Sequence, residues 1–543
     1  MNKAVNVTVD ASVWKGTLAH TWNYVGYDEC NYTHSPGGMD LIAKFGKLEK
    51  PYYMRTHHLF CTGSCHASYK WGSTNVYTED KDAKPIYNFT VIDRMCDIWL
   101  ANNCKPFFEI GFMPFDLVDR SFIKAASFNI NEYRRTGWNC PPKDYDKWYD
   151  LVSAVIAHLL ERYGKEELES WYFEMWNEPD IVYWQGSHEE FCKLYDYTEA
   201  AIHDVLPSLR FGGPATCGAM TAQSNAANYL RDFLHHTKSG TNYKTGKLGT
   251  RLDFTSFHTK GGGYSFTTDP VLAKTPSIKR LLEQVRIGGT IIKECGYADL
   301  ECILSEADPD GWAAGGRFDN PAFDFRNTEY YASYVASAYK NIYDLAKEME
   351  IDFRPLAWAF MFEGERCFEG TRAFSTQGID KAVLNVFKLY AKLGSQLIGL
   401  SSSRGLNPLD YADEWGEAEG AEIDGWATLT GTKSIETLLY CHQDTWEQND
   451  SHTVELAVKK PPFEGPYKVT HYRIDKDHSN AYAQWVLQGR PDYPVGDQYN
   501  AIKARDGLEL LCPIQELLPH DECIKMTFEM PVKSVSLITI EKA

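Results

Sequence analysis

The fold of this chain is decided by residues 171–180, WYFEMWNEPD. The stretch opens as a run of aromatic and apolar side chains, which is typical of a buried strand. It ends on an amide, a carboxylate and a proline (Asn177, Glu178 and Pro179), and the proline terminates the strand. Polar residues at the carboxyl end of a buried strand are what an α/β barrel presents at its working rim.

Seven other segments of the first 400 residues repeat this pattern of a short apolar run followed by polar or glycine-rich residues. They span residues 16–22, 52–60, 105–114, 209–216, 252–261, 300–308 and 355–364. Together with a strand predicted over residues 170–179, they make eight predicted strands, which is the number that closes a parallel barrel.

Helical patterns separate these strands. The clearest covers residues 145–163, where apolar side chains recur at i, i+3 and i+4 and Gly164 stands at the position of a C-cap. Further helices are predicted at residues 91–103, 188–205, 226–235, 277–285, 328–348 and 381–393. Because strand and helix alternate, we expect an α/β fold, with a (β/α)₈ TIM barrel over residues 13–400.

The remainder of the chain has a different texture. After about Leu400 short strands are punctuated by Gly and Ser, which predicts an accessory β-sandwich over residues 401–543. Strands are expected there at residues 436–442, 453–458, 468–474 and 532–540. The alternating Val5, Val7 and Val9 precede the first predicted barrel strand, so residues 1–12 are assigned to the sandwich as an additional strand.

The composition argues against nucleic acid and membranes as binding partners. Lys and Arg number 55 against 74 Asp and Glu, a net charge of −19, and no basic run offers a footprint for nucleic acid or for an anionic membrane surface. No segment is apolar enough to span a membrane, and the 14 Cys show no disulfide-framework spacing. We expect a cytoplasmic protein, or an exported one whose leader was removed. A homo-oligomer remains open.

Two carboxylates stand out at the predicted strand ends. Glu178 ends the fourth strand and Glu306 the seventh, so the two face each other across the barrel mouth. Glycosidic cleavage requires such a pair, one group protonating the leaving oxygen and the other meeting the oxocarbenium-like carbon. Asn177, beside the acid, can hydrogen-bond the sugar hydroxyl next to the reacting carbon. A capping or salt-bridged role for a lone Glu is the plain alternative.

Other candidates share the same rim. Arg55 is expected to pair with Glu306, and His57 and His258 are expected to contact hydroxyls or orient the catalytic carboxylates. Lys260 and Glu363 are expected to bind the substrate. Aromatic residues are frequent, at 14%, and rings suit sugar faces. The candidate platforms, each with a core role as its alternative, are Trp22, Phe112 and Trp312.

Residues 57–66, HHLFCTGSCH, contain five side chains that can bind zinc, namely His57, His58, Cys61, Cys65 and His66. The Cys-x₃-Cys interval lacks the second ligand pair of a structural zinc site, so we expect no metal. The two-carboxylate chemistry needs no cofactor.

Several sequence motifs of this chain are similar to those of a known enzyme family. The chain resembles glycoside hydrolase family 39, on the segments YMRTHHLF, FEMWNEPD, RFGGPAT, DFTSFHTKG, LSEADPDGW, GIDKAVLNVFKL and YRIDKDHSNAYAQW. The resemblance implies retaining enzymes with a (β/α)₈ barrel and an accessory β-sandwich, including β-xylosidases and α-L-iduronidases. It places the family's acid/base on Glu178 and its nucleophile on Glu306, and implies exo action in a blind pocket.

The substrate stays open between two sugars. The segments MRTHH, WNEPD, HTKG and EADPDGW are similar to iduronidases, in which the residues matching Lys260, Gly311 and Trp312 help to hold a sugar carboxylate. The segments GIDKAVLNVFKL and IDKDHSNAYAQW are closer to bacterial xylosidases. Arg372 can serve a uronate or the structure, whereas Glu363 would repel a uronate.

We therefore expect a β-xylosidase-like exo-enzyme acting on a pentose of plant polysaccharide, with an oligosaccharide or polysaccharide side chain as its substrate. The alternatives are an iduronidase-like enzyme, an arabinose-releasing glycosidase and, from another class, a non-catalytic carbohydrate-binding protein.

Overall fold

The computed structural model describes residues 4–64, 72–123, 136–262, 276–358, 363–446, 448–518 and 523–543. Its first half is built around one parallel sheet that closes on itself, since the last strand pairs with the first. In barrel order the strands are Tyr24–Glu29, Tyr52–His57, Cys104–Ile110, Tyr172–Met175, Phe211–Thr216, Phe254–Lys260, Cys302–Asp308 and an eighth strand in two pieces, Phe353–Pro355 and Ala357–Trp358. The predicted (β/α)₈ barrel is confirmed.

The eighth strand is divided into two pieces, and each piece pairs with a different neighbouring strand. Phe353–Pro355 pairs with the seventh strand, and Ala357–Trp358 pairs with the first. A Cβ atom on Gly26 of the first strand would lie 2.3 Å from the ring of Trp358, so only glycine lets this ring pack where the barrel closes. Residues 359–362 of the predicted eighth strand lie outside the described residues.

The first predicted strand, residues 16–22, is wrong. The barrel strand begins at Tyr24. Residues 16 and 17 end a long sandwich strand, Val5–Thr17, and residues 18–23 lie in no strand. That strand continues past its expected end through register shifts between Asp10 and Gly16, where it still pairs with Gln396–Ser402. The sandwich sheet therefore extends across both expected boundaries, at residue 12 and at residue 400.

The helices between the barrel strands agree with the apolar periodicity. Tyr145–Tyr163 and His188–Val205 have the predicted bounds, and Gly164 ends the first of these with a φ of +81°. The other α-helices that the described residues of this part form are Pro36–Phe45, Thr90–Ala101, Lys165–Leu168, Asn225–Ser239, Ile278–Glu294, Glu329–Met349 and Ala382–Tyr390. Short hairpins are formed by Tyr77–Glu79 with Pro85–Tyr87 and by Ser375–Thr376 with Ile379–Asp380.

The second sheet is mostly antiparallel and contains ten strands. Residues from both ends of its strand order share one apolar core, which is the packing of a sandwich. Its strands are Val5–Thr17, Gln396–Ser402, Glu422–Thr430, Ser434–His442, Ser451–Lys459, Tyr467–Ile474, Glu509–Leu510, Gln515–Leu517, Cys523–Pro531 and Ser534–Lys542. Two helices, Ala481–Leu487 and Gly496–Lys503, interrupt it.

One barrel helix makes several of the contacts between the two parts. Glu329–Met349 lies against the sandwich sheet, where Ser337 donates to Glu422 at 3.1 Å and Lys340 pairs with Asp424 at 2.9 Å. In the part of the chain that the structure describes, no helix is both long enough and apolar enough to cross a membrane.

Candidate active site

Glu178 is turned toward the barrel axis by an unusual backbone. Trp176 and Glu178 both adopt left-handed conformations, with φ of +63° and +43°, which cost free energy for residues other than glycine. The Glu178 N–H donates to the Ala215 carbonyl of the next strand at 2.9 Å and holds this turn. The carboxylate then meets His258, whose Nδ1 lies 2.8 Å from Glu178 Oε1.

Glu306 is buried among nitrogen-bearing side chains. Its Oε2 lies 2.7 Å from Lys260 Nζ and 3.8 Å from His258 Nδ1, while its Oε1 lies 3.5 Å from Arg55 Nη1 and 3.8 Å from His57 Nε2. Burial alone would raise the pKa of Glu306, but these positive charges outweigh it and hold the pKa well below its usual range. An ionised carboxylate is the form that can act as a nucleophile.

The two carboxylates are close enough to act on one bond. An oxygen of Glu178, an oxygen of Glu306 and a ring nitrogen of His258 all lie within 4.8 Å of one another. Retaining glycosidases hold their carboxyl groups roughly 5–5.5 Å apart, and inverting ones roughly 6.5–9.5 Å. The spacing matches the retaining class.

Arg55 connects several groups below the carboxylates. Its Nε contacts Glu174 at 2.5 Å and its Nη2 contacts Glu109 at 2.9 Å, all three side chains being fully buried. The same Nη2 donates to Asn177 Oδ1 at 3.2 Å. Because a guanidinium only donates, the amide oxygen of Asn177 must face it, which leaves Nδ2 to donate elsewhere.

Glu109 also orients His57. The Nδ1 atom of His57 lies 2.8 Å from Glu109 Oε2, which directs Nε2 toward Glu306. Burial would lower the pKa of His57, but the Glu109 carboxylate outweighs this effect and the pKa is raised. The sequence reasoning missed Glu109 and Glu174, although each is the single acid in an apolar strand run, FFEI and YFEM.

Lys260 and Arg372 are both neutralised by aspartates. Lys260 Nζ bridges Glu306 and Asp308, the latter at 2.5 Å. Arg372 is buried and contacts Asp308 at 3.1 Å and the side chain and carbonyl of Asp310. Asp308, two residues after Glu306, shares its inward face because side chains alternate along a strand. The sequence reasoning also missed this residue and Asp310.

Two of the proposed sugar platforms are wrong. Trp22 lies before the first strand, at the opposite end of the barrel, with its ring against Tyr390 and Trp426. The error follows from placing that strand too early in the chain. Phe112 is at the mouth but completely buried, and its ring packs on Trp176 at 4.8 Å between centroids. It supports the site and presents no face to a sugar.

Trp312 and Glu363 follow the seventh and eighth barrel strands, at the end of the barrel that carries the two carboxylates. Trp312 is half-buried, packs on Phe323 and donates its N–H to Asp310 at 2.9 Å. Glu363 accepts the Gly37 N–H at 2.6 Å, at the start of helix Pro36–Phe45. Its expected contact with substrate hydroxyls stays a prediction.

The two described histidines of the candidate zinc site, His57 and His58, hydrogen-bond to other protein groups. His57 uses Nδ1 on Glu109, and His58 uses Nδ1 on the Asp28 carbonyl at 3.2 Å. Cys65 and His66 lie outside the described residues. Glu178, His258 and Glu306 are close enough for a metal ion, but the hydrogen bond between the first two already satisfies one atom of each.

Comparison with known proteins decides the family. The sequence profile of glycosyl hydrolases family 39 matches residues 18–507, which includes the whole barrel and five of the ten described sandwich strands. The chain belongs to glycosyl hydrolases family 39. It is therefore a glycoside hydrolase, and the retaining mechanism typical of the family agrees with the spacing of the two carboxylates.

Relatives of this family 39 enzyme include β-xylosidases and α-L-iduronidases. A β-xylosidase of Geobacillus stearothermophilus is 28% identical over 85% of this chain and 82% of its own. Human α-L-iduronidase is 26% identical over 77% of this chain and 61% of its own. Among solved structures, a monomeric β-xylosidase from Caulobacter crescentus CB15 shares the fold, with a TM-score of 0.76, 21% identity and 99% of each chain covered.

Proposed function

We propose that this family 39 enzyme is a retaining, exo-acting β-xylosidase that removes terminal xylose from oligosaccharides or polysaccharide side chains. The observation that carries the catalytic part is the placement of Glu178 and Glu306 within 4.8 Å, with Glu306 held ionised by its neighbours. The β-xylosidase of Geobacillus stearothermophilus, matched over most of both chains, supports the sugar.

In the first step Glu306 attacks the anomeric carbon while Glu178 gives its proton to the glycosidic oxygen. The carbon–oxygen bond breaks, the leaving group departs with that proton, and a glycosyl ester forms on Glu306. In the second step Glu178 takes a proton from water, whose oxygen attacks the same carbon and releases Glu306. The hydrogen bond between His258 and Glu178 orients the carboxyl group for both transfers.

Asn177 is suited to the sugar hydroxyl beside the reacting carbon. Arg55 occupies its amide oxygen, so the Nδ2 group is oriented to donate into the mouth. Since Arg55 also contacts Glu306, one guanidinium sets the geometry of both the nucleophile and the hydroxyl donor.

The charge of the pocket wall favours a neutral sugar. Lys260 and Arg372 are the cations that would clamp a uronate, but Asp308 and Asp310 already pair with them. A sugar carboxylate would have to compete with these buried aspartates and would lie beside Glu306. A xyloside presents only hydroxyls and avoids that repulsion.

An α-L-iduronidase is the second candidate, because Lys260 reaches the nucleophile and human α-L-iduronidase matches most of this chain. The two are separated by measuring kcat/KM on aryl β-xyloside, α-L-arabinofuranoside, α-L-arabinopyranoside, β-glucoside and α-L-iduronide. We expect the β-xyloside to be preferred; preference for the iduronide would show that Lys260 and Arg372 exchange partners to bind a carboxylate.

The catalytic roles are tested on the substrate that this screen selects. Glu306→Ala should remove turnover, and Glu306→Gly should form no covalent adduct with the matching 2-fluoro glycoside. An adduct on the Gly variant would assign the nucleophile elsewhere. Undiminished turnover by Glu306→Ala would have the same meaning, and absence of turnover in the unmodified enzyme would favour a carbohydrate-binding role.

A further inference from the structure

Two exposed aromatic rings lie beside one arginine on the outside of the barrel mouth. Phe318 is 59% exposed and Tyr493 is 61% exposed, although most rings of this chain are buried. The Arg366 guanidinium lies 3.6 Å from the centre of the Phe318 ring. Tyr493 follows Asp492, whose carbonyl accepts the N–H of Cys367, the residue after Arg366, at 2.7 Å. We call Phe318, Arg366 and Tyr493 the rim surface.

The rim surface is assembled from three parts of the chain. Phe318 follows the seventh barrel strand, which carries Glu306, and Arg366 follows the eighth. Tyr493 comes from the sandwich, between its helices Ala481–Leu487 and Gly496–Lys503. A sandwich residue thus lies beside barrel residues at the end where the catalytic carboxylates are found.

The sandwich segment is held rigidly against the barrel. The Asp492 carbonyl accepts the Cys367 N–H at 2.7 Å and the Gln377 side-chain amide at 2.9 Å. Beneath it a separate apolar core joins the two parts, formed by Cys367, Phe368, Ile379, Ala481, Trp485 and Ile502. Tyr493, next to Asp492, is therefore presented in a defined position.

The surface is continuous with the mouth. The Tyr493 hydroxyl is 3.5 Å from the Gly364 carbonyl, one residue after Glu363. The segments after strands seven and eight are joined by the Arg372 N–H to the Ala313 carbonyl at 3.0 Å, and Arg372 contacts Asp308 beside the nucleophile. A substrate that emerges on this side of the pocket would meet the rim surface next.

The Glu369 carboxylate balances the charge of Arg366 and holds its guanidinium in place. The Arg366 Nε and Nη2 contact Glu369 at 2.7 and 3.0 Å, which fixes the guanidinium on one face of Phe318. Phe318 and Tyr493 nonetheless keep 59% and 61% of their surface exposed. Flat apolar faces beside fixed polar groups are the chemistry that recognises neutral sugars, which present C–H faces and hydroxyl edges.

We propose that the rim surface is a leaving-group subsite that binds the neutral sugar units of an oligosaccharide outside the catalytic pocket. The proposal rests on the exo-xylosidase function, because for an exo-enzyme every unit outside the pocket belongs to the leaving group. It makes the sandwich a contributor to substrate selection through Tyr493.

The test compares a short and a long substrate on the same variants. Phe318→Ala, Tyr493→Ala and the double variant are assayed on 4-nitrophenyl β-xyloside and on xylotetraose. We expect kcat/KM on xylotetraose to fall about five- to tenfold in the double variant, a change that corresponds to about 1 to 1.4 kcal/mol of stacking free energy for the two rings together. The aryl xyloside should change by less than about twofold. Tyr493→Phe, which keeps the ring, should retain most activity on xylotetraose.

Trp14→Ala is the matched control, because Trp14 is a 72% exposed aromatic on the far part of the sandwich. It should leave both substrates unaffected. An equal loss on both substrates in the double variant, or no loss on xylotetraose, would overturn the subsite.

A binding measurement separates this proposal from the proposed function. Calorimetry of the Glu306→Gln protein with xylotetraose, with and without the double substitution, should show about five- to tenfold weaker binding when the rings are absent. If the unmodified enzyme fails on every β-xyloside, the xylosidase assignment fails. In that case the kinetic assay and the calorimetry are repeated with a tetrasaccharide of the sugar that the aryl glycoside screen selects. A Kd that is the same with and without the double substitution would overturn the subsite.

Discussion

The ammonium of Lys260 lies 2.7 Å from Oε2 of Glu306 and is shared with Asp308. This contact contributes to the low pKa of Glu306. Replacing Lys260 by Met should raise that pKa, so the acidic limb of inactivation by a 2-fluoro xyloside should move to higher pH. We also expect kcat/KM to fall about tenfold to a hundredfold, because the nucleophile loses an oriented charge.

Lys105→Met is the control for this change. Lys105 pairs with Glu167 at 2.5 Å near the opposite end of the barrel, so its loss should leave the pH profile in place. An unshifted acidic limb in Lys260→Met, with kcat/KM unchanged, would show that Lys260 does not tune the nucleophile.

Glu109→Gln should change the titration of His57. The Glu109 carboxylate raises the pKa of His57, so its removal should lower that pKa, and the imidazolium facing Glu306 should be lost at lower pH. The titration is followed by NMR of the labelled imidazole. Glu174→Gln removes a carboxylate that pairs with Arg55 and should leave the His57 titration unchanged. Equal shifts in both variants would refute the specific role of Glu109.

Glu178→Ala should be rescued by azide on an activated aryl xyloside. Without the acid/base residue, the glycosyl ester still forms from a good leaving group but water attacks it slowly. Azide needs no base, so turnover should rise at least about tenfold and yield a β-xylosyl azide. An α-configured azide, or no rescue, would contradict the assignment. Asp180→Asn provides a nearby carboxylate control.

Glu422 should make stability depend on pH. Burial, aided by Asp424, raises the pKa of Glu422 from 4.5 to about 8, where barrel helix Glu329–Met349 meets the sandwich. Between these values the folded protein binds a proton more tightly than the unfolded chain, so stability decreases as pH rises through this window. Glu422→Gln should flatten the slope and stabilise the protein by on the order of 3 kcal/mol at pH 8. Denaturant unfolding at pH 5 and pH 8 measures both; an unchanged slope would show that Glu422 is ionised when folded.

The apolar periodicity predicted most elements because it records which side is buried. Helix Tyr145–Tyr163 and helix His188–Val205 are found at their predicted bounds, and seven of the eight strand positions overlap those observed. The prediction of the first strand was wrong because residues 16–22 and Tyr24–Glu29 are both short apolar runs. Local pattern does not distinguish a strand that continues into a sandwich from one that opens a barrel.

The sequence by itself determined the order of strands and helices, the family and the two acids that end strands four and seven. Each of these depends on residue type and on position along one segment. Only the tertiary structure decided that Trp22 and Phe112 are not sugar platforms, that Glu109 and Glu174 hold Arg55, and that Asp308 and Asp310 neutralise Lys260 and Arg372. These are contacts between residues distant in sequence, and their pairing depends on barrel closure and side-chain direction, which no single segment encodes.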